Sequence, residues 1–138
     1  MALAVQALDS SFKRIIPQKL AFAEVFYTQL FQHFPETKLL FERRKTDMVG
    51  QQKALMQALE LVIDSLREGQ TNTLTTVLAE LGMQHRTYGV QVADYQKVGG
   101  VLLDTLEQFD PEWSSQLRDD WSVAYTAVVS MMETTTAA

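Results

Sequence analysis

TNTLTTVLAELGMQHRTYGV, residues 71–90, is the stretch on which the reading of this chain turns. Leu74, Val77, Leu78, Leu81, His85 and Tyr88 recur every three or four residues, so a helix would carry all six on one inner face. TNT offers capping side chains at its start and Gly89 closes its end. His85 falls four residues after Leu81 and three before Tyr88, where the pattern wants an apolar side chain. Packing alone does not require an imidazole there.

The same periodicity runs outward in both directions. Val5, Leu8, Phe12, Ile15 and Ile16 share a stripe that Pro17 should end or kink. Leu20, Ala23, Tyr27, Leu30, Phe31 and Phe34 form a second, after which Pro35 opens the short segment PETKLLF. Beyond the polar corner ERRKTD comes a longer stripe of Met48, Gln51, Leu55, Leu59, Val62 and Leu66, with Gly69 as its stop. Tyr95, Val98, Leu102, Leu106 and Phe109 make another. DPEW reads as Asp110 capping and Pro111 in the first turn of a last helix carrying Leu117, Trp121, Tyr125, Val128 and Met132, and the tail TTTAA reads as frayed. Strand-like alternation, internal repeats and linkers are absent. The expectation is an all-α single domain, 1–138, of six or seven helices, too uneven in length for a matched four-helix bundle.

The chain has 138 residues, of which 46% are hydrophobic and 21% charged, the proportions of a globular protein. Its net charge of −5 and the lack of a basic stripe argue against nucleic acid as a partner. With no cysteine, disulfides, thiol catalysis and iron–sulfur clusters are excluded, in keeping with a reducing compartment. MALAVQALDS lacks the basic region of a signal peptide, and no run approaches the ~20 apolar residues of a membrane span. A cytoplasmic protein without membrane contact is expected.

Three polar residues break three inner stripes: Tyr27, Gln51 and His85. A buried polar group without a partner costs ~1–3 kcal/mol, so each should have a partner or a task. Singly, each admits a bland reading. His85 fits a satisfied core histidine, Tyr27 a core ring with its hydroxyl on backbone, and Gln51 the wet edge of a stripe. One pocket lined by all three explains them together. Zinc wants three or four ligands, which two histidines and no cysteine do not supply. Neither a phosphate-binding loop nor a nucleophile elbow occurs. Haem iron, by contrast, brings four nitrogens and needs one protein ligand.

FYTQLFQHFPETKLLF, MVGQQKAL, HRTYGV with DYQKVGGVLL, and DDWSVAY, taken in order, resemble the globin family from about Phe12 to Met132. The likeness is to bacterial single-domain haemoglobins and the haem domain of flavohaemoglobins. It implies a three-over-three helical sandwich enclosing haem b, iron protoporphyrin IX. By the same resemblance His85 is the iron ligand, its second ring nitrogen donating to the Leu81 carbonyl. Phe41 stacks on the porphyrin, Leu55 and Val98 are apolar contacts, and Tyr95 lies near the iron-binding histidine. Tyr27 and Gln51 donate to the gas ligand on the opposite, distal side. Arg43, Arg44 and Lys45 either meet the haem propionates or form a solvated charge run.

Two departures from that pattern matter. The family's flavohaemoglobins complete a His–Tyr–Glu network from the last helix, but here that place falls near Thr136, and Glu133 is a turn early. The second is that no flavin or nicotinamide domain is expected to accompany the chain. His33, the other histidine, reads as a surface or helix-end residue, so self-ligation by two histidines is not expected. The function implied is reversible binding of O2, CO and NO. Alternatives are a nitric oxide dioxygenase served by a separate reductase, a gas sensor acting through a partner, and a haem-free interaction module. The presence of His85, Phe41 and Gln51 weighs against the last. A monomer or weak homodimer is expected, with Trp113 as a surface apolar residue that would serve a dimer.

Overall fold

The computed structural model describes residues 3–133, and among these all regular structure is helical. Seven α-helices follow in order: α1 (Val5–Ile15), α2 (Lys19–His33), α3 (Lys38–Arg43), α4 (Met48–Glu68), α5 (Thr71–Thr87), α6 (Val92–Phe109) and α7 (Ser115–Glu133). Short 3-10 turns at Ile16–Gln18 and Pro35–Thr37 precede α2 and α3, each holding a proline near its start. A proline has no N–H to give to a preceding turn, so both sit where a helix has just ended.

Local chemistry sets the other boundaries. The Asp47 carboxylate accepts from the Val49 N–H at 3.2 Å and starts α4. At α6, Gln91 and Asp94 form a reciprocal capping box, with Gln91 N donating to Asp94 Oδ2 at 2.8 Å. Gly89, at φ 95°, turns the chain between α5 and α6 in the left-handed region that a side chain would disfavour.

The last helix departs from expectation. It begins at Ser115, not at Pro111, because the Asp110 carboxylate is engaged elsewhere. That carboxylate is buried, accepts from Glu112 N at 2.9 Å and Ser11 Oγ at 2.6 Å, and takes two bonds from Arg14 at 2.6 and 2.9 Å. Ser114 Oγ caps α7 instead, accepting from Leu117 N at 3.1 Å. Trp121 Nε1 donates to Ser11 Oγ at 2.9 Å, so one polar network ties α1, the end of α6 and α7 together. No side chain caps α5, whose first residue is Thr71. Three residues read as inner are exposed: Ile16 in the 3-10 turn after α1, Leu20 on the first turn of α2, and Val77 on α5. The tail TTTAA lies outside the described residues.

The core gathers where α1, α2, α4, α6 and α7 converge, around Leu8, Ile15, Phe22, Phe26, Leu30 and Leu106, none more than 2% exposed. Burying a side chain of this size contributes roughly 1.5–3 kcal/mol. A second cluster of Val62, Leu74, Leu78 and Met132 lies between α4, α5 and α7. There α5 and α7 approach closely through Gly82, where an added Cβ would stand 1.8 Å from the Met132 carbonyl oxygen. That oxygen belongs to backbone and cannot rotate aside. Gly82→Ala should therefore push α7 off α5 and cost roughly 1–3 kcal/mol, or more, in thermal or urea unfolding. An unchanged midpoint would contradict the contact.

Asp110 yields a second prediction, in acid. Burial pushes its carboxyl up, but the hydrogen bonds from Arg14, Ser11 and Glu112 N, with the Arg14 charge, prevail and hold it below its ordinary 3.8. A depressed carboxyl contributes stability that is present above the unfolded value and lost as pH falls through the folded one. The native chain should lose that contribution below about pH 4. Asp110→Ala should flatten this acid limb and cost roughly 1.5–3 kcal/mol at neutral pH, the scale of hydrogen bonds to a charged group, since the Arg14 left behind still reaches solvent. Both are read from urea unfolding against pH.

Candidate functional site

A cavity of about 410 Å³ is lined by residues of α2 to α7, including the α3–α4 corner and the end of α5. That volume falls within the range of small-molecule and cofactor sites. Tyr27 from α2, Phe41 from α3, Gln51 and Leu55 from α4, Leu81 and His85 from α5, and Tyr95 and Val98 from α6 all line it. The three polar residues that broke the inner stripes thus share one pocket. Its walls are otherwise mainly apolar, and Trp121, Tyr125 and Met132 of α7 contribute part of them.

On the α5 wall, His85 is half-buried, and its Nδ1 lies 2.7 Å from the Leu81 carbonyl oxygen. A carbonyl only accepts, so in the neutral ring Nδ1 carries the proton and donates. The lone pair is then on Nε2, which has no protein partner among the described residues. Burial pushes the imidazole below its ordinary value, the Leu81 bond opposes this, and the Arg44 charge adds to it. The balance favours the neutral, ligating form.

The opposite wall is built differently. Tyr27 is 5% exposed, its ring held edge-on by Phe26 at 4.9 Å and by Phe41 at 5.7 Å between centroids. Gln51 Nε2 donates to the Tyr27 hydroxyl at 2.9 Å. With its oxygen already accepting, the phenol keeps its own O–H to donate. Burial pushes Tyr27 up to about 12, against the Gln51 bond and the Arg44 charge, so it remains a donor at neutral pH.

Arg44 is what the sequence left undecided. Of the three corner cations only Arg44 lines the cavity, and its guanidinium carbon sits 3.7 Å over the Tyr88 ring. Arg43 and Lys45 are exposed and do not line it. Lys45, at φ 53°, turns the corner after Arg44. In a run of like charges no local signal separates the three. His33 is exposed at the end of α2, away from this cavity. Trp113, read as a surface apolar residue, is half-buried against the core. Thr136 lies outside the described residues. Glu133 is exposed; burial is what chiefly pushes the Tyr95 phenol up, the Arg86 charge opposes it, and the Glu133 and Asp94 charges add to it.

The cavity suits a flat apolar group that brings its own metal donors. Among the described residues no cluster of three His, Cys, Asp or Glu could hold a metal alone. A single imidazole lone pair on the wall of a mainly apolar cavity can supply the one protein ligand that haem iron needs. The residues therefore fit haem.

Known proteins share this arrangement of helices. A Drosophila melanogaster globin superposes with TM-score 0.82 at 17% identity, covering 93% of this chain and 90% of that one. The hexa-coordinate hemoglobin of Drosophila melanogaster, from a study of cyanide binding and heme cavity transitions, gives TM-score 0.83 at the same identity and coverage. In sequence, a leghemoglobin of Psophocarpus tetragonolobus is 28% identical over 137 residues, 94% of this chain and 90% of that protein. A flavohemoprotein of Vibrio cholerae serotype O1 is 30% identical over 109 residues, 76% of this chain but 26% of that protein, so the chain spans about a quarter of that relative. The family profile described as Globin matches residues 24–132. With most of its length inside that profile, and an all-helical fold around an imidazole-walled cavity, the chain belongs to the globin family.

Proposed function

We propose that the cavity holds haem b with His85 as the iron's protein ligand, and that the loaded protein reversibly binds O2, CO and NO. The observation that carries this reading is the geometry of His85, its Nδ1 committed to Leu81 O at 2.7 Å and its Nε2 without a partner among the described residues, on the wall of a mainly apolar cavity. When bound, the iron porphyrin would supply a metal centre to which a diatomic gas can bind.

The chain's own residues then divide the work. Leu81 O fixes the imidazole tautomer and raises its basicity as a ligand. Phe41, Leu55 and Val98 keep water from the slot and offer apolar faces to a macrocycle, and the Tyr95 ring stands 6.3 Å from the imidazole. Gln51 holds the Tyr27 oxygen and so turns the phenolic proton toward the gas. Arg44, stacked on Tyr88 at the cavity, is the cation we assign to the cofactor's carboxylates. A cytoplasmic location and a monomeric or weakly dimeric state complete the proposed reading.

The match to part of a flavohemoprotein favours one alternative. In it, NO and O2 with one electron from a separate reductase become nitrate at the same site. Steady turnover with an added reductase would support that enzyme, and a single round of oxidation would support simple binding.

Tyr27→Phe removes one charge-assisted donor, a contribution of ~1.5–3 kcal/mol. Oxygen release, followed by stopped flow, should quicken roughly ten- to a hundredfold. An unchanged rate would mark Tyr27 as a packing residue.

A further inference from the structure

The chain is acidic overall, yet three of its 12 lysines and arginines stand in succession at the corner after α3: Arg43, Arg44 and Lys45. The carboxylates nearest in sequence are engaged elsewhere. Glu36 pairs with Lys97 at 3.2 Å, Glu42 with Lys38 at 4.0 Å, and Asp47 caps α4. Arg43 and Lys45 are exposed and have no ion-pair partner among the described residues.

This corner lies at the edge of the cavity. Arg44 lines it and is also exposed, so cavity and solvent meet there. Arg43 crosses to the turn between α5 and α6, its Nη1 4.0 Å from where a Cβ on Gly89 would stand. Tyr88 and Val90, on either side of that glycine, both line the cavity. Lys45 holds a left-handed φ of 53°, and Thr46 Oγ1 is buried without a hydrogen-bond partner among the described residues. Neither feature helps the chain to fold, and such costs gather at functional sites.

We propose that Arg43 and Lys45 are a docking surface for an acidic electron-carrier protein, which delivers an electron to the iron from this edge of the cavity. The inference rests on the haem reading and names its partner. With Arg44 assigned to the cofactor's carboxylates, the carboxylate edge faces this corner. The step served is the gain of one electron by ferric iron to become ferrous; the carrier loses that electron, and no covalent bond forms or breaks. Opposite charges steer such an encounter, and a small patch suffices because electron-transfer partners meet weakly and briefly. A membrane fits less well, since anionic lipid recruits clusters of about four to eight cations and this chain carries a net charge of −5.

The test uses the full chain loaded with ferric hemin, and a small acidic flavodoxin in its hydroquinone form as the probe. Stopped-flow reduction should be fast at low salt and slow down as salt screens the encounter. Arg43→Glu with Lys45→Glu should lower the low-salt rate roughly tenfold or more and remove the fall with salt. Lys13→Glu with Lys19→Glu makes the same change in net charge on α1 and α2, and should leave the rate within about twofold of native. Carbon monoxide should bind the chemically reduced corner variant at the native rate, which shows its cavity intact. In the apoprotein, oxidised flavodoxin should shift the amide resonances of Arg43, Lys45 and Gly89. A corner variant reduced at the native rate, or both double variants slowed alike, would overturn the proposal. So would binding to phosphatidylglycerol vesicles without those flavodoxin shifts, which assigns the corner to lipid. If the native chain takes up no hemin, the haem reading fails instead, and the amide shifts alone decide whether the corner docks an acidic protein.

Discussion

The hydrogen bond from His85 Nδ1 to the Leu81 carbonyl is the interaction on which the site depends. It spans one helical turn, so the sequence spacing of four residues suffices to make it, and it decides which ring nitrogen is left with a lone pair. In water that choice would carry little consequence. On the wall of a mainly apolar cavity, it decides which nitrogen is left to bind a guest. The residues opposite strengthen the asymmetry. The Tyr27–Gln51 pair satisfies itself and retains a donor, whereas the α5 wall retains an acceptor. One slot thus presents a Lewis base on one side and a proton donor on the other.

Holding those two walls apart is the task of the rest of the fold. The α2–α4 side is braced by aromatic contacts that begin at Phe26 and end at Phe41, without any buried charge. The α5–α6 side leans on α7 through two close backbone approaches, at Gly82 and at Gly99, and two bonds onto backbone carbonyls. The helix α7 is in turn tied to α1 through Trp121, Ser11, Asp110 and Arg14. That chain of contacts starts at a cavity-lining indole and ends at a partly exposed guanidinium. A protein of this size has little core to spare, and its polar ties lie where a cavity would otherwise let helices slide.

What could be read from the residues alone follows the range of each interaction. His85 and Leu81 are neighbours on one helix, so both the imidazole and its orienting carbonyl were legible. Tyr27 and Gln51 were visible only as separate breaks in two stripes. Their direct bond, across 24 positions, needed the fold. Asp110 before a proline has the look of a helix cap, but its partner Arg14 lies 96 residues away, and that pair moves the start of α7 to Ser115. Leu20 and Val77 fit the helical period yet lie exposed, since a stripe tells which residues share a face but not how far along it the neighbouring helix reaches. Arg44 was indistinguishable from Arg43 and Lys45 until the corner turned and set it over Tyr88.

The central claim is that the unpaired nitrogen of His85 binds iron in a porphyrin, and hemin titration followed by absorbance tests it most directly. The native protein should take up one equivalent, show an intense Soret band, and respond to reduction and to carbon monoxide as a single-imidazole complex. His85→Gly should lose that spectrum and regain it when free imidazole is added. If the glycine variant gave the native spectrum unaided, or if the native chain refused hemin altogether, the account would be wrong.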